Sequence, residues 1–161
     1  MNEPVTFSRR LHPGEQEGNV MEVTAEYRGI AKFEVAARCH RVMCDQPVEN
    51  GGTDEGMTPP EFLLASLSTC GAYYAAQFLK VRGLPVEGLQ VRVSAEKALK
   101  PARLASFRIS VTAPGLDAAG PAVHQAEEGL LRAVNACLIH NTLLGSPTIE
   151  VEVEAAALAQ V

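Results

Sequence analysis

Residues 20–28 alternate, with Met21, Val23, Ala25 and Tyr27 on one side and Glu22, Thr24 and Glu26 on the other. A period of two marks a half-buried strand. Gly29 follows, and Phe33, Val35 and Ala37 carry the same period through 32–38, which predicts a hairpin. A third short strand is expected over 40–44. Residues 45–60 hold Pro47, Gly51, Gly52, Gly56, Pro59 and Pro60 and read as a loop.

The period then changes. Thr58-Pro59-Pro60-Glu61 fits a capping box with Pro at the first helical position. The helix it opens is expected to run to about Arg82 and stop at Gly83. From Phe62 to Leu79 there is no Asp, Glu, Lys or Arg. Ser66, Ser68, Thr69, Gly71, Tyr73, Tyr74 and Gln77 make the segment too polar for a membrane span, so it reads as a helix covered on nearly every side. The rest of a 161-residue chain hardly suffices to wrap it. A homodimer with this helix at or near the interface is therefore expected.

Residues 87–96 (Leu89, Val91, Val93, Ala95) and 104–113 (Phe107, Ile109, Val111) alternate again and predict two antiparallel strands joined through 97–103. Residues 121–137 place Val123, Ala126, Leu130, Leu131, Val134 and Cys137 at helical spacing, and 141–147 break that helix. Ile149, Val151 and Val153 alternate with Glu150, Glu152 and Glu154 in an expected final strand. Strands, helix, strands, helix, strand is an α+β order with mainly antiparallel pairing.

Composition narrows the function classes. The length suits a single domain over 1–161, with 1–19 as an N-terminal arm. Fourteen Lys and Arg against 19 Asp and Glu give a net charge of −5 without a basic cluster. Nucleic acid and anionic membrane surfaces are poor partners for such a chain. Residues 1–10 carry Glu3 and no apolar run, so no secretory signal is expected and the cytoplasm is the expected compartment. Four Cys are too few for a disulfide scaffold, and a cytoplasmic disulfide is more often transient and catalytic than structural.

Cys70 sits mid-helix, either as a small buried hydrophobe or as a thiolate nucleophile. The nucleophile reading requires a nearby cation or hydrogen-bond donor, because the helix dipole fades after one turn. Cys137 and His140 form a Cys-x-x-His pair, open to a metal half-site, a thiol–base pair or plain packing. Cys39, His40 and Cys44 lack familiar zinc spacing, and no metal site is expected. Glu61 is accounted for by the capping box, while His12 and His124 carry no signal. Nucleotide-binding, GxSxG and HExxH motifs are absent from the sequence.

The stretch Asp45-x-Pro47, then Gly51-Gly52-Thr53-Asp54-Glu55-Gly56-Met57-Thr58-Pro59-Pro60-Glu61-Phe62-Leu63-Leu64-Ala65-Ser66-Leu67-Ser68-Thr69-Cys70, resembles the core motif of the OsmC/Ohr family. Ala136-Cys137-Leu138-Ile139-His140-Asn141-Thr142-Leu143 is similar to the region around that family's second Cys. The resemblance implies an OsmC-like α+β fold with antiparallel sheets and two central helices in an intertwined homodimer. It implies a thiol peroxidase that reduces organic hydroperoxides without a metal or organic cofactor. Cys70 would be the peroxidatic residue and Cys137 the resolving one, with a dithiol or lipoyl-type reductant restoring both. The family's hairpin Arg falls best on Arg28, with Arg38 and Arg41 as rivals. Phe62, Leu67 and Tyr73 are the expected lining of an apolar substrate pocket. The run Leu63-Leu64-Ala65-Ser66-Leu67 is closer to a less characterised branch of the family.

One departure stands out. The established peroxidases carry a Glu directly after the Pro, where this chain has Pro60. Glu61 comes one residue later, a rotation of about 100° on a helix. Asp54 or Glu55 substitutes, the Arg is held some other way, or the chemistry differs. The alternative function is a non-enzymatic small-ligand-binding protein on the same fold.

Overall fold

The computed structural model describes residues 20–153, so the expected N-terminal arm (1–19) and Glu154 lie outside the described residues. The chain divides after Thr58 into two compact units.

In the first unit, β1 (Thr24–Gly29), β2 (Lys32–Ala37) and β3 (His40–Cys44) form an antiparallel sheet in that order. Tyr27 pairs with Phe33, and their rings meet edge to face with centroids 5.8 Å apart. β1 begins later than the alternation suggests. Thr24 already lies opposite Ala36, and β2 ends at Ala37, so residues 20–23 find no partner and Val20, Met21 and Val23 are exposed. The register shifts between Tyr27 and Gly29, which makes Arg28 the extra residue of a bulge. A bulge re-aims the side chain it carries.

The loop after β3 folds around a buried carboxylate. Asp45 is fully buried and accepts from the backbone N–H of Gln46 (2.8 Å), Thr53 (3.1 Å) and Glu55 (3.1 Å), and from the Thr53 hydroxyl (2.8 Å). Gly52 leaves the room this requires, since a Cβ there would lie 1.9 Å from the Gln46 carbonyl oxygen.

The second unit is built on α1 (Pro59–Val81). Pro59 takes the first helical position, where its missing N–H costs nothing. The helix ends as expected at Gly83, which has φ +66. Leu84 N–H returns to the Leu79 carbonyl and Gly83 N–H to that of Lys80, a Schellman closure. Leu67, Gly71, Ala75 and Leu79 are buried, a stripe of one residue every four. Thr69, Tyr73 and Gln77 on the other side are exposed, so the chain itself covers this helix along one face. By length and composition α1 could cross a membrane, yet its buried stripe is the core of this unit.

β4 (Gln90–Leu99) and β5 (Ala102–Thr112) form a long hairpin. The register sets Val91 opposite Val111, Val93 opposite Ile109 and Ala95 opposite Phe107, one apolar face. A 3-10 segment (Pro114–Ala122) interrupted at Gly120 leads to α2 (Val123–Asn135). α2 buries Ala126, Gly129, Leu130 and Val134, while Leu131 is 62% exposed. Ala75, Leu79, Leu130 and Val134 form the core, with Ile109 and Val111 packed against it. Each fully buried aliphatic side chain there contributes about 2 kcal/mol.

Two expectations are corrected. The second helix does not run through Cys137: α2 stops at Asn135, and a separate α3 (Leu138–Gly145) occupies most of the segment read as a break. Leu138, Ile139, Leu143 and Leu144 at helical spacing sustain it without Gly or Pro until Gly145. Residues 149–153 form no strand; Ile149, Val151 and Val153 are more than four-fifths exposed. Alternation alone makes no strand where no partner is in register.

Burial opposes ionisation of Asp45, but the N–H and hydroxyl donors outweigh it and lower its carboxyl from 3.8 to about 2. The folded state thus holds this proton more weakly than the unfolded chain. Its stability contribution should be complete above pH 3.8 and be lost as pH falls through about 2. Asp45→Asn should flatten unfolding midpoints in that window; a parent-like acid slope in the variant would contradict the assignment.

Candidate active site

Cys70 lies on α1 beside the buried stripe, one turn beyond Leu67, and is half-buried. α2 comes close to the same stretch of helix, where a Cβ on Gly71 would stand 3.5 Å from Val134 Cγ1. The chain turns at the end of α2, where Ala136 N–H reaches the carbonyls of Arg132 and Ala133, and Cys137 N–H reaches that of Val134. Cys137 is extended (φ −62, ψ 138) and caps α3, its sulfur accepting from His140 N–H at 3.4 Å. It is 1% exposed. The Cys70 side chain lies near enough to act electrostatically on the Cys137 thiol, so the fold brings these two cysteines into one neighbourhood. All four cysteines are free thiols.

Burial pushes the Cys137 thiol up, and the nearby Cys70 thiol pushes the same way. The N–H groups of His140 and Ile139 pull against this without reversing it. Cys137 therefore keeps its proton to higher pH than an ordinary thiol.

An open cleft of about 560 Å³ includes Leu67, one turn from Cys70, and His140, three residues from Cys137, while neither cysteine is part of its lining. Leu63 and Leu67 of α1, Leu104, Phe107 and Ile109 of β5, and His140 of α3 line it. Leu67 is the expected pocket residue that belongs to this wall. Phe62 and Tyr73 do not line the cleft, and Tyr73 is exposed against Tyr74. The β5 and α3 contributions were missed by sequence reasoning. The β5 alternation marks an inward face without saying what it faces, and 141–147, which overlaps the second half of α3, reads as a break.

Arg28 belongs to the first unit. Its guanidinium pairs with Glu26 (2.6 Å) and Glu34 (3.0 Å), and Glu34 also takes Arg41 at 2.5 Å. The hydrogen bond to Glu34 raises Arg28 further, and Arg28 and then Arg41 lower Glu34. Arg28 is thus held by carboxylates of its own hairpin. Glu55 is engaged by Lys32 (2.6 Å) and the Thr53 hydroxyl. Cys44 is buried, whereas Cys39 lies in an exposed turn with its sulfur 3.8 Å from His40 Nε2. Among the described residues no three His, Cys, Asp or Glu side chains gather as metal ligands.

The family described as OsmC-like protein matches residues 52–152. Among curated proteins none matches. A crystal structure of an osmotic stress induced and detoxification response protein from Psychrobacter arcticus 273-4 is 17% identical with a TM-score of 0.65, over 79% of this chain and 91% of that one. An OsmC-like protein from Mycoplasma pneumoniae is 17% identical at 0.64, over 79% and 89%. An organic hydroperoxide resistance protein OsmC from Legionella pneumophila is 16% identical at 0.54, over 81% and 93%. At such identities the likeness is one of fold.

With iodoacetamide near neutral pH, Cys39 should be alkylated first and Cys137 last, as read by peptide mass mapping. Labelling of Cys137 should accelerate only above the ordinary thiol range, because its folded form keeps the proton longer. Cys137 labelling as fast as Cys39 would contradict the burial described.

Proposed function

Because the chain belongs to the OsmC-like protein family, we propose that it is a thiol-dependent peroxidase reducing organic hydroperoxides through Cys70 and Cys137. The observation that carries this reading is the proximity of Cys70 and Cys137, each one turn along the chain from a residue of the apolar cleft. The Cys70 thiolate attacks the peroxide oxygen, an S–O bond forms and the O–O bond breaks. The alkoxide takes a proton and leaves as the alcohol, with Cys70 oxidised to a sulfenic acid. Cys137 then attacks that sulfur, its proton leaves with the hydroxide as water, and a Cys70–Cys137 disulfide results. Exchange with a dithiol or lipoyl-type reductant returns both thiols.

The partially exposed Cys70 suits attack, and the proton-retaining Cys137 suits the later step. Arg28 is the cation of this reading, with Glu34 and Glu26 in place of the carboxylate that Pro60 displaces. A cytoplasmic location fits resting thiols. The Legionella neighbour's description as a hydroperoxide resistance protein agrees with this chemistry. The cleft also favours a second reading, a protein that only binds a small apolar ligand.

The functional unit of this reading is a homodimer. Tyr27, Phe33, Val42 and Tyr73 are 64%, 40%, 48% and 61% exposed, more apolar surface than a lone chain comfortably leaves in water. Sedimentation should find twice the 17.2 kDa chain mass at micromolar concentration; a monomer alone contradicts it.

Reduced parent protein should consume cumene hydroperoxide and lose two thiols per chain. Cys70→Ser should slow consumption roughly a hundredfold or more. Cys137→Ser should stop after one turnover at a dimedone-trappable sulfenic acid, and Arg28→Gln should slow the first step about tenfold. Consumption by Cys70→Ser at the parent rate would end the peroxidase reading and leave the ligand-binding one.

A further inference from the structure

His140 is the one Cys-x-x-His member that the reaction above leaves unused. Two bonds fix it. Its main-chain N–H donates to the Cys137 sulfur at 3.4 Å, and its ring Nδ1 lies 3.0 Å from the Asn135 carbonyl oxygen. A carbonyl oxygen only accepts, so Nδ1 carries the hydrogen. In the neutral ring Nε2 is then a bare acceptor. No described residue bonds to Nε2.

The ring lines the cleft, whose other walls are mostly Leu, Phe and Ile. Ser106, the other polar side chain there, donates its hydroxyl to Glu96 at 3.1 Å. The Ser106 oxygen keeps lone pairs but is already engaged with Glu96, so His140 Nε2 is the side-chain acceptor of this lining that no described residue engages. That acceptor sits one helical turn from Cys137, and Leu67 of the same cleft sits one turn from Cys70.

We propose that His140 is a further catalytic residue, its Nε2 accepting the O–H of the hydroperoxide and holding the reactive end of the substrate at the sulfur pair. This rests on the peroxidase reading. The organic part lies along the leucines, and Cys70 forms its bond to the oxygen that carries the hydrogen. The O–O bond breaks, sulfur gives up two electrons to the peroxide, and the alkoxide takes a proton from water. The hydrogen held by His140 stays on the sulfenic acid, so the imidazole neither gains nor loses a proton. A peroxide with no O–H offers Nε2 nothing.

Imidazole ¹⁵N spectra of the reduced protein read the ring directly. In the neutral ring the hydrogen should be on Nδ1, and the Nε2 resonance should move with 2-phenyl-2-propanol, the unreactive product alcohol, but not with cumene, which lacks the hydroxyl. Turnover reads the consequence. His140→Asn retains a donor for the Asn135 carbonyl but no longer reaches the substrate. It should raise KM for cumene hydroperoxide about tenfold and leave dithiol reduction of the disulfide unchanged. His140→Gln, which extends an amide oxygen toward the Nε2 position, should recover part of the loss. An Nε2 resonance indifferent to the alcohol, or an active parent whose KM is matched by His140→Asn, overturns the role of His140 alone. A parent that consumes no hydroperoxide overturns the peroxidase reading and this role with it.

Discussion

Close packing between α1 and α2 is the constraint on which the site depends. The stripe Leu67, Gly71, Ala75 and Leu79 repeats every four residues, so it stays on one side of the helix for three turns. Small residues at two of the four positions let α2 approach, and Val134 lies against Gly71. A Cβ on Gly129 would come within 2.6 Å of the Phe78 ring, so the two helices meet nearly backbone to side chain. With that distance set, the chain leaving α2 arrives at Cys70. The short extended turn at Cys137 then aims its sulfur inward, and α3 keeps it there through the His140 N–H.

Burial does different things to the ionisable groups. Asp45 is buried yet ionised, because several donors surround it and replace the water it lost. Cys137 is buried and protonated, because the N–H groups of α3 offer less than burial and the neighbouring sulfur take away. Arg28 remains near water and is held by two carboxylates. In exposed pairs the gain is geometric more than energetic. The chain thus keeps one thiol in reserve beside a more accessible one.

The cleft owes its character to three elements. α1 supplies Leu67 from its buried stripe and Leu63 one turn before it, β5 supplies the inward face of the hairpin, and α3 supplies the His140 ring with Leu143 and Leu144. Neither β5 nor α3 carries a sequence motif for this task. Their contribution comes from the hairpin register, which puts Phe107 and Ile109 on the face that looks at α1.

Hydrophobic periodicity, Gly and Pro determined the elements themselves. The three N-terminal strands, the start of α1 after Thr58 and its end at Gly83, and the β4–β5 hairpin were legible because local sterics and a two- or 3.6-residue period dictate them. The sulfur pair was legible as a resemblance around Cys70 and Cys137, with no local signal for their proximity. Tertiary structure decided the rest. Ile149, Val151 and Val153 alternate like a strand but find no partner among the described residues, and 141–147 reads as a break although α3 runs on to Gly145. It also decided that Glu34 holds Arg28, that Leu67 rather than Phe62 or Tyr73 faces the cleft, and that His140 joins them. The physical reason is common to all of these. Strand pairing, burial and ion pairing depend on what another segment brings within a few ångströms, and a one-dimensional pattern carries the faces of an element without their partners.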